Sequence, residues 1–174
     1  MIQLSTLLFI MALVFSYIGF TRGWNKEIIA TAGIVLALFA LFQFDDLLND
    51  LFVNLQPEVA FLIRTVFLVL VAFFAYQNRS IIGTKSARGN DGRDDLQTGV
   101  LGALVGAFNG YLIWGSLWYF MDIAGYPLQP YISPPIPGTA SAEFVGSLPL
   151  YLDPSGNLLA AAMIGLFIVV LIVI

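Results

Sequence analysis

Five apolar stretches, separated by short polar segments, run through the 174 residues. The first, Ile2 to Phe20, carries no charge and has the length of the ~20 residues that cross ~30 Å of hydrocarbon. The second, Ile28 to Phe44, is near the lower limit, and the third, Val59 to Gln77, holds Arg64 in its first turns. The fourth, Leu96 to Met121, is uncharged and long enough to tilt or protrude. The fifth runs from Leu158 to Ile174. This pattern predicts an all-α integral membrane helix bundle of about five transmembrane helices. It divides into a four-helix core (1–121), a Pro-rich extracytoplasmic loop (122–157) and a fifth transmembrane helix (158–174). The first stretch lacks a basic leading region and an A-x-A-like site, so an uncleaved helix is expected, not a signal peptide. The chain is still apolar at Ile174, which leads one to expect further residues beyond it.

Charge adds an orientation. Of the seven basic residues, Arg22 and Lys26 lie between stretches one and two, and Arg79, Lys85, Arg88 and Arg93 lie between three and four. The segments Asp45 to Glu58 and Asp122 to Asn157 contain none. Short basic loops stay in the cytoplasm, so five spans with the N-terminus outside satisfy every loop. Arg64 then falls near the outer end of its helix, where its stem can snorkel toward the outer headgroups; a buried, functional arginine is the alternative. Composition agrees: 59% apolar and 10% charged residues is far from a soluble mixture. The net charge of -4 comes chiefly from the outer segments. Cysteine and histidine are absent, so no disulfide, thiol nucleophile or imidazole ligand for haem or chlorophyll is available. No cofactor, catalytic site or metal site is expected, and nothing points to nucleic acid.

The connecting segments carry weaker signals. Between Asp45 and Leu55 the leucines and Phe52 take one helical face and the Asp and Asn residues the other, which reads either as a short interfacial helix or as a shaped turn. The segment from Asn78 to Asp95 is rich in glycine and mixed charge. Its Asn90 to Asp95 cluster lacks the spacing of a calcium loop, and its Gly83 to Ser86 fragment lacks the rest of a phosphate loop. The outer segment holds seven prolines among Tyr126, Tyr131, Phe144 and Tyr151, and these aromatics are candidate partner contacts. In the fourth stretch Gly102, Gly106 and Gly110 recur at every fourth position, with Gly99 one turn earlier. Such a groove admits another helix backbone, so this helix is expected at the centre of the fold, and Asn109 on it needs a hydrogen-bond partner.

Between stretches one and two, Gly19, Phe20, Arg22, Gly23, Trp24 and Glu27 fill the pattern G-F-x-R-G-[aromatic]-x-x-E. Residues 1–121 thereby resemble the colicin V production protein family (CvpA), and Asp95 to Gly99 followed by the glycine repeat resembles the start of that family's last core helix. In the turn itself, Gly23 permits a sharp reversal, Arg22 and Lys26 are expected to anchor at cytoplasmic headgroups, and Glu27 complements the helix dipole. An exposed Arg22 to Glu27 pair would be weak. The resemblance implies a multi-pass protein of the bacterial inner membrane with a non-enzymatic role in export or envelope maintenance. Its partners are membrane lipids, together with other membrane subunits or a second copy. The added loop and fifth helix leave open an accessory subunit of a respiratory or photosynthetic complex, and a small channel or transporter component is the third reading.

Overall fold

The computed structural model describes residues 3–45, 50, 56–77 and 92–173. Among the described residues five long helices form the bundle: α1 (Leu4–Arg22), α2 (Trp24–Gln43), α3 (Pro57–Gln77), α4 (Gly92–Ile123) and α6 (Asn157–Val173). A short α5 (Ala140–Phe144) lies in the Pro-rich segment. The first four are long and apolar enough to cross a membrane. At 17 residues α6 spans about 25 Å, the lower end of the range for a crossing. The chain is a multi-pass helical membrane protein. The amphipathic segment after α2, apart from Asp45 and Asp50, and the glycine-rich segment before α4 lie outside the described residues.

A membrane helix gains little by hiding leucine from lipid, so what distinguishes its faces is how closely a neighbour can approach. The tightest approach is between α4 and α1. A Cβ at Gly102 would stand 2.3 Å from the Gly19 carbonyl oxygen, one at Gly106 2.3 Å from the Phe15 carbonyl oxygen, and one at Gly110 2.9 Å from the Ala12 Cα. From the other side, a Cβ at Gly19 would stand 2.1 Å from the Gly102 carbonyl oxygen. The two backbones touch along three turns, close enough for dispersion and Cα–H contacts.

Helix α2 packs on α4, α3 and α6. Its inward stripe of Glu27, Ala30, Thr31, Ile34, Leu38 and Leu41 recurs at helical spacing, and Ile34, Leu38 and Leu68 of α3 are completely enclosed. The polar start of α6 is held by Asp153, whose carboxylate accepts the Leu159 backbone N–H at 2.8 Å. Outward, α1, α3, α4 and α6 present large apolar side chains such as Leu13, Phe74, Leu104 and Phe167, as a lipid-facing surface requires.

Candidate functional site

One residue, Gly23, separates α1 from α2, and its φ of +81° reverses the chain in the space of a single peptide unit. The reversal brings two oppositely charged side chains to the same level. Arg22 Nη1 donates to Glu27 Oε1 at 2.7 Å, and Glu27 has no exposed surface while 19% of the Arg22 side chain remains accessible. Two other helices close round this pair. Tyr76, at the end of α3, donates its hydroxyl to Glu27 Oε2 at 3.0 Å, and its backbone carbonyl accepts Arg22 Nη2 at 3.0 Å. The guanidinium also lies 4.6 Å from the centre of the Tyr76 ring. From α4, Asn109 Nδ2 donates to Glu27 Oε2 at 3.0 Å and to the Glu27 carbonyl at 3.2 Å. Thr31 on α2 completes the cluster by donating to Asn109 Oδ1 at 2.7 Å.

Both carboxylate oxygens of Glu27 and both polar atoms of Asn109 are therefore engaged within the chain. That matters because a carboxylate in a bundle core is costly unless it is paired and fully hydrogen-bonded. The Arg22 guanidinium is turned inward to a carboxylate, a carbonyl and a ring. The Arg22 to Glu27 pair, which would be weak if exposed, is covered by Tyr76 and Asn109. Sequence reasoning missed Tyr76 and Thr31. Tyr76 sits one residue from the end of the third apolar stretch, and aligning the stretches by depth would have set it beside Glu27.

The remaining motif residues serve the α1 to α4 contact. Gly19 faces Gly102, the Gly23 backbone lies 3.0 Å from where a Gly102 Cβ would be, and the Phe20 ring covers Gly99, where a Cβ would stand 3.0 Å from it. Trp24 opens α2 and is half-buried. The motif is thus one device: its glycines let α4 approach and its charged residues meet Asn109 on the adjoining face of α4. The family model for colicin V production protein matches residues 4–134. The chain belongs to the colicin V production protein family. A comparison with curated proteins and one with solved structures each give no match.

In this colicin V production family member the match covers α1 to α4 and the first turns of the Pro-rich segment, and α5 and α6 lie beyond it. That segment folds back on the family core. The Ser5 backbone N–H donates to Ser141 Oγ at 3.1 Å and the two hydroxyls are 3.0 Å apart. Pro149 seats against Gly115, and Tyr111 donates to the Ser147 carbonyl at 2.5 Å. Of the four aromatics read as partner contacts, two are turned inward. Tyr126 is buried and accepts Trp118 Nε1 at 3.1 Å, while Phe144 stacks on Trp118 and meets Phe9 edge-on at 5.5 Å. Tyr151 donates to Asp122 at 2.6 Å, and Tyr131 is 91% exposed. Their proline neighbours restrict the backbone, so the aromatics can dock at low entropic cost.

Burial pushes the Tyr126 hydroxyl up to about 12; the Trp118 bond opposes this and Asp122 adds to it. Tyr151 is raised in the same direction by burial and by Asp122. The folded state thus holds these phenolic protons more tightly than the unfolded chain does. Their contribution is complete below pH ~10 and is lost as pH rises from about 10 through about 12. Trp118 fluorescence in detergent should report undocking of the segment over this range. The Tyr126→Phe variant should show a shallower transition, and an identical pH profile would remove Tyr126 from this role.

Arg64 donates to Asp45, just past the end of α2, at 2.5 Å, in a cavity of about 210 Å³ bounded by Leu38, Phe42, Tyr119 and Leu150; 13% of the Arg64 side chain and 45% of the Asp45 side chain are exposed. Among the described residues no group of three or more His, Cys, Asp or Glu side chains could hold a metal ion.

Proposed function

We propose that this protein is a non-catalytic scaffold of the bacterial inner membrane, acting in export or envelope maintenance, with its N-terminus and Pro-rich segment outside. The observation that carries this reading is the saturation of the Glu27 cluster. Arg22, Tyr76, Asn109 and Thr31 spend their polar atoms on one another, so the cluster locks four helices in place and leaves no reactive group free for a substrate. A conducting pathway would need charged groups facing a water-filled route, and these groups face each other. The family's name ties the reading to colicin V production. The orientation is supported by the basic residues at 22, 26, 79, 85, 88 and 93.

A second reading, an accessory subunit of a larger membrane complex, is favoured by the exposed Tyr131 and Ile136 of the Pro-rich segment. Native purification in mild detergent, with mass spectrometry of everything that co-migrates, tests both. Substoichiometric envelope or export components alongside a lone or self-associated chain support the scaffold. Stoichiometric respiratory or photosynthetic subunits would replace it with the second reading. Fusions of alkaline phosphatase and green fluorescent protein after Gln77 and after Asn157 should report inside and outside respectively; the reverse pattern would overturn the orientation.

A further inference from the structure

The cavity of about 210 Å³ beside Arg64 lies where α3, the ends of α2 and α4 and the Pro-rich segment meet, with Leu41, Phe42, Tyr119 and Leu150 in its wall. Arg64 and Asp45 are its charged lining. Within the described residues the guanidinium makes one hydrogen bond, from Nη2 to Asp45. Its Nε and Nη1 have no partner there, and neither is sealed from the cavity. Asp45 stands just past the end of α2 with 45% of its side chain exposed, and a carboxylate has room for several donors. The cavity thus presents a cation and an anion side by side against an apolar wall.

The occupant's chemistry follows from charge, level and size. A lone anion would be drawn to Arg64 and repelled by Asp45, and a lone cation the reverse, so neither gains much net attraction. A ligand that carries both charges on a short spacer satisfies both groups. Guanidinium suits phosphate, whose oxygens accept from its planar fork. On the other side, the negative end of the α2 dipole adds to Asp45 in favouring an ammonium. Helical side chains lean toward the N-terminus, so the Arg64 stem runs toward Pro57 and meets Asp45 at the end of the bundle. Phospholipid phosphates border the ~30 Å hydrocarbon layer at that level. A benzene-sized ring fills a cavity of about 150 Å³, so one of about 210 Å³ has room for a compact headgroup. Two of its lining residues, Phe42 and Ile123, are also exposed outward, as the acyl chains of such a ligand require. We propose that this cavity binds the headgroup of a phosphatidylethanolamine, with its phosphate on Arg64 and its ammonium on Asp45. The site lies at the opposite end of α2 from Glu27 and does not depend on the scaffold reading.

The test uses the full chain, delipidated in mild detergent and titrated with dioleoyl phosphatidylethanolamine, phosphatidylglycerol or phosphatidylcholine while native mass spectrometry counts the bound lipid. One phosphatidylethanolamine per chain is expected, with a Kd about 10-fold below that of phosphatidylglycerol, which has no ammonium, the ratio one charge-assisted bond gives. Phosphatidylcholine should also be weaker, since its quaternary ammonium has no N–H to donate. Arg64→Gln should raise the Kd for phosphatidylethanolamine about 10-fold. Asp45→Asn should instead abolish the preference over phosphatidylglycerol, a change of selectivity that a merely structural role would not produce. Leu104→Ala, on the lipid face of α4, should change nothing. If Arg64→Gln does not fold, the selectivity of Asp45→Asn decides alone. Equal Kd for the three lipids in the parent, or a preference that survives Asp45→Asn, would overturn the proposal. So would displacement of the lipid by water-soluble glycerophosphoethanolamine at equal concentration, because the ligand would then be a soluble zwitterion.

Discussion

Gly106→Leu should leave no correctly folded protein to purify, or lower stability by more than about 3 kcal/mol, the upper end for overpacking. The reason is geometric. The first added carbon would stand 2.3 Å from the Phe15 carbonyl oxygen and 3.0 Å from the Gly19 Cα, and both obstacles are backbone. A side chain can rotate out of the way, but here α1 itself must move, and with it the Gly23 turn that sets Glu27 beside Asn109. Damage at the groove should therefore reach the polar cluster about one turn away. Gly165→Ala on α6, where nothing lies within 4 Å, is the matched control and should be silent. Thermal unfolding in mild detergent, followed by size-exclusion recovery, reads both variants. A Gly106→Leu protein that elutes and melts like the parent would remove the α1 to α4 contact from its central place.

Arg22→Met is expected to be nearly as damaging, by about 3–5 kcal/mol, because it leaves the Glu27 carboxylate buried without its cation. Tyr76 and Asn109 would still donate to that carboxylate, but two neutral donors do not replace a charge-assisted bond. The distinguishing result comes from the double variant. Glu27→Gln removes the charge that Arg22 compensates, so Arg22→Met should cost much less in a Glu27→Gln background than in the parent. Folded fraction against sodium dodecyl sulfate concentration gives the four free energies of the cycle. Strictly additive losses would mean that the two side chains act separately, and that the motif's Arg and Glu serve the turn alone.

The residues of the G-F-x-R-G-[aromatic]-x-x-E pattern could be read from sequence because they lie within nine positions of one another. Their purpose could not. Gly19 and Gly23 meet Gly102, and Glu27 meets Asn109 across 82 positions, so their pairing exists only once α4 is laid against α1 and α2. Tyr76 was invisible for the same reason, as its hydroxyl and its carbonyl serve residues 49 and 54 positions away. The Pro-rich segment shows the reverse error. Tyr126 and Phe144 looked like contacts for a partner, yet the surface they needed was supplied by Trp118 and Phe9 of the same chain. Burial of an aromatic is a property of the neighbour, and sequence does not name the neighbour.

What sequence alone determined is what the bilayer dictates locally. Helices of this length and apolarity must form because every backbone N–H and C=O needs a partner inside the span, and the glycine repeat fixed which face of α4 could be approached. The family membership was legible in the same short-range pattern. The tertiary structure decided which polar side chains became buried and whom they paired with. Those outcomes depend on the relative depth and rotation of whole helices, and depth and rotation are set by contacts between residues far apart in the chain.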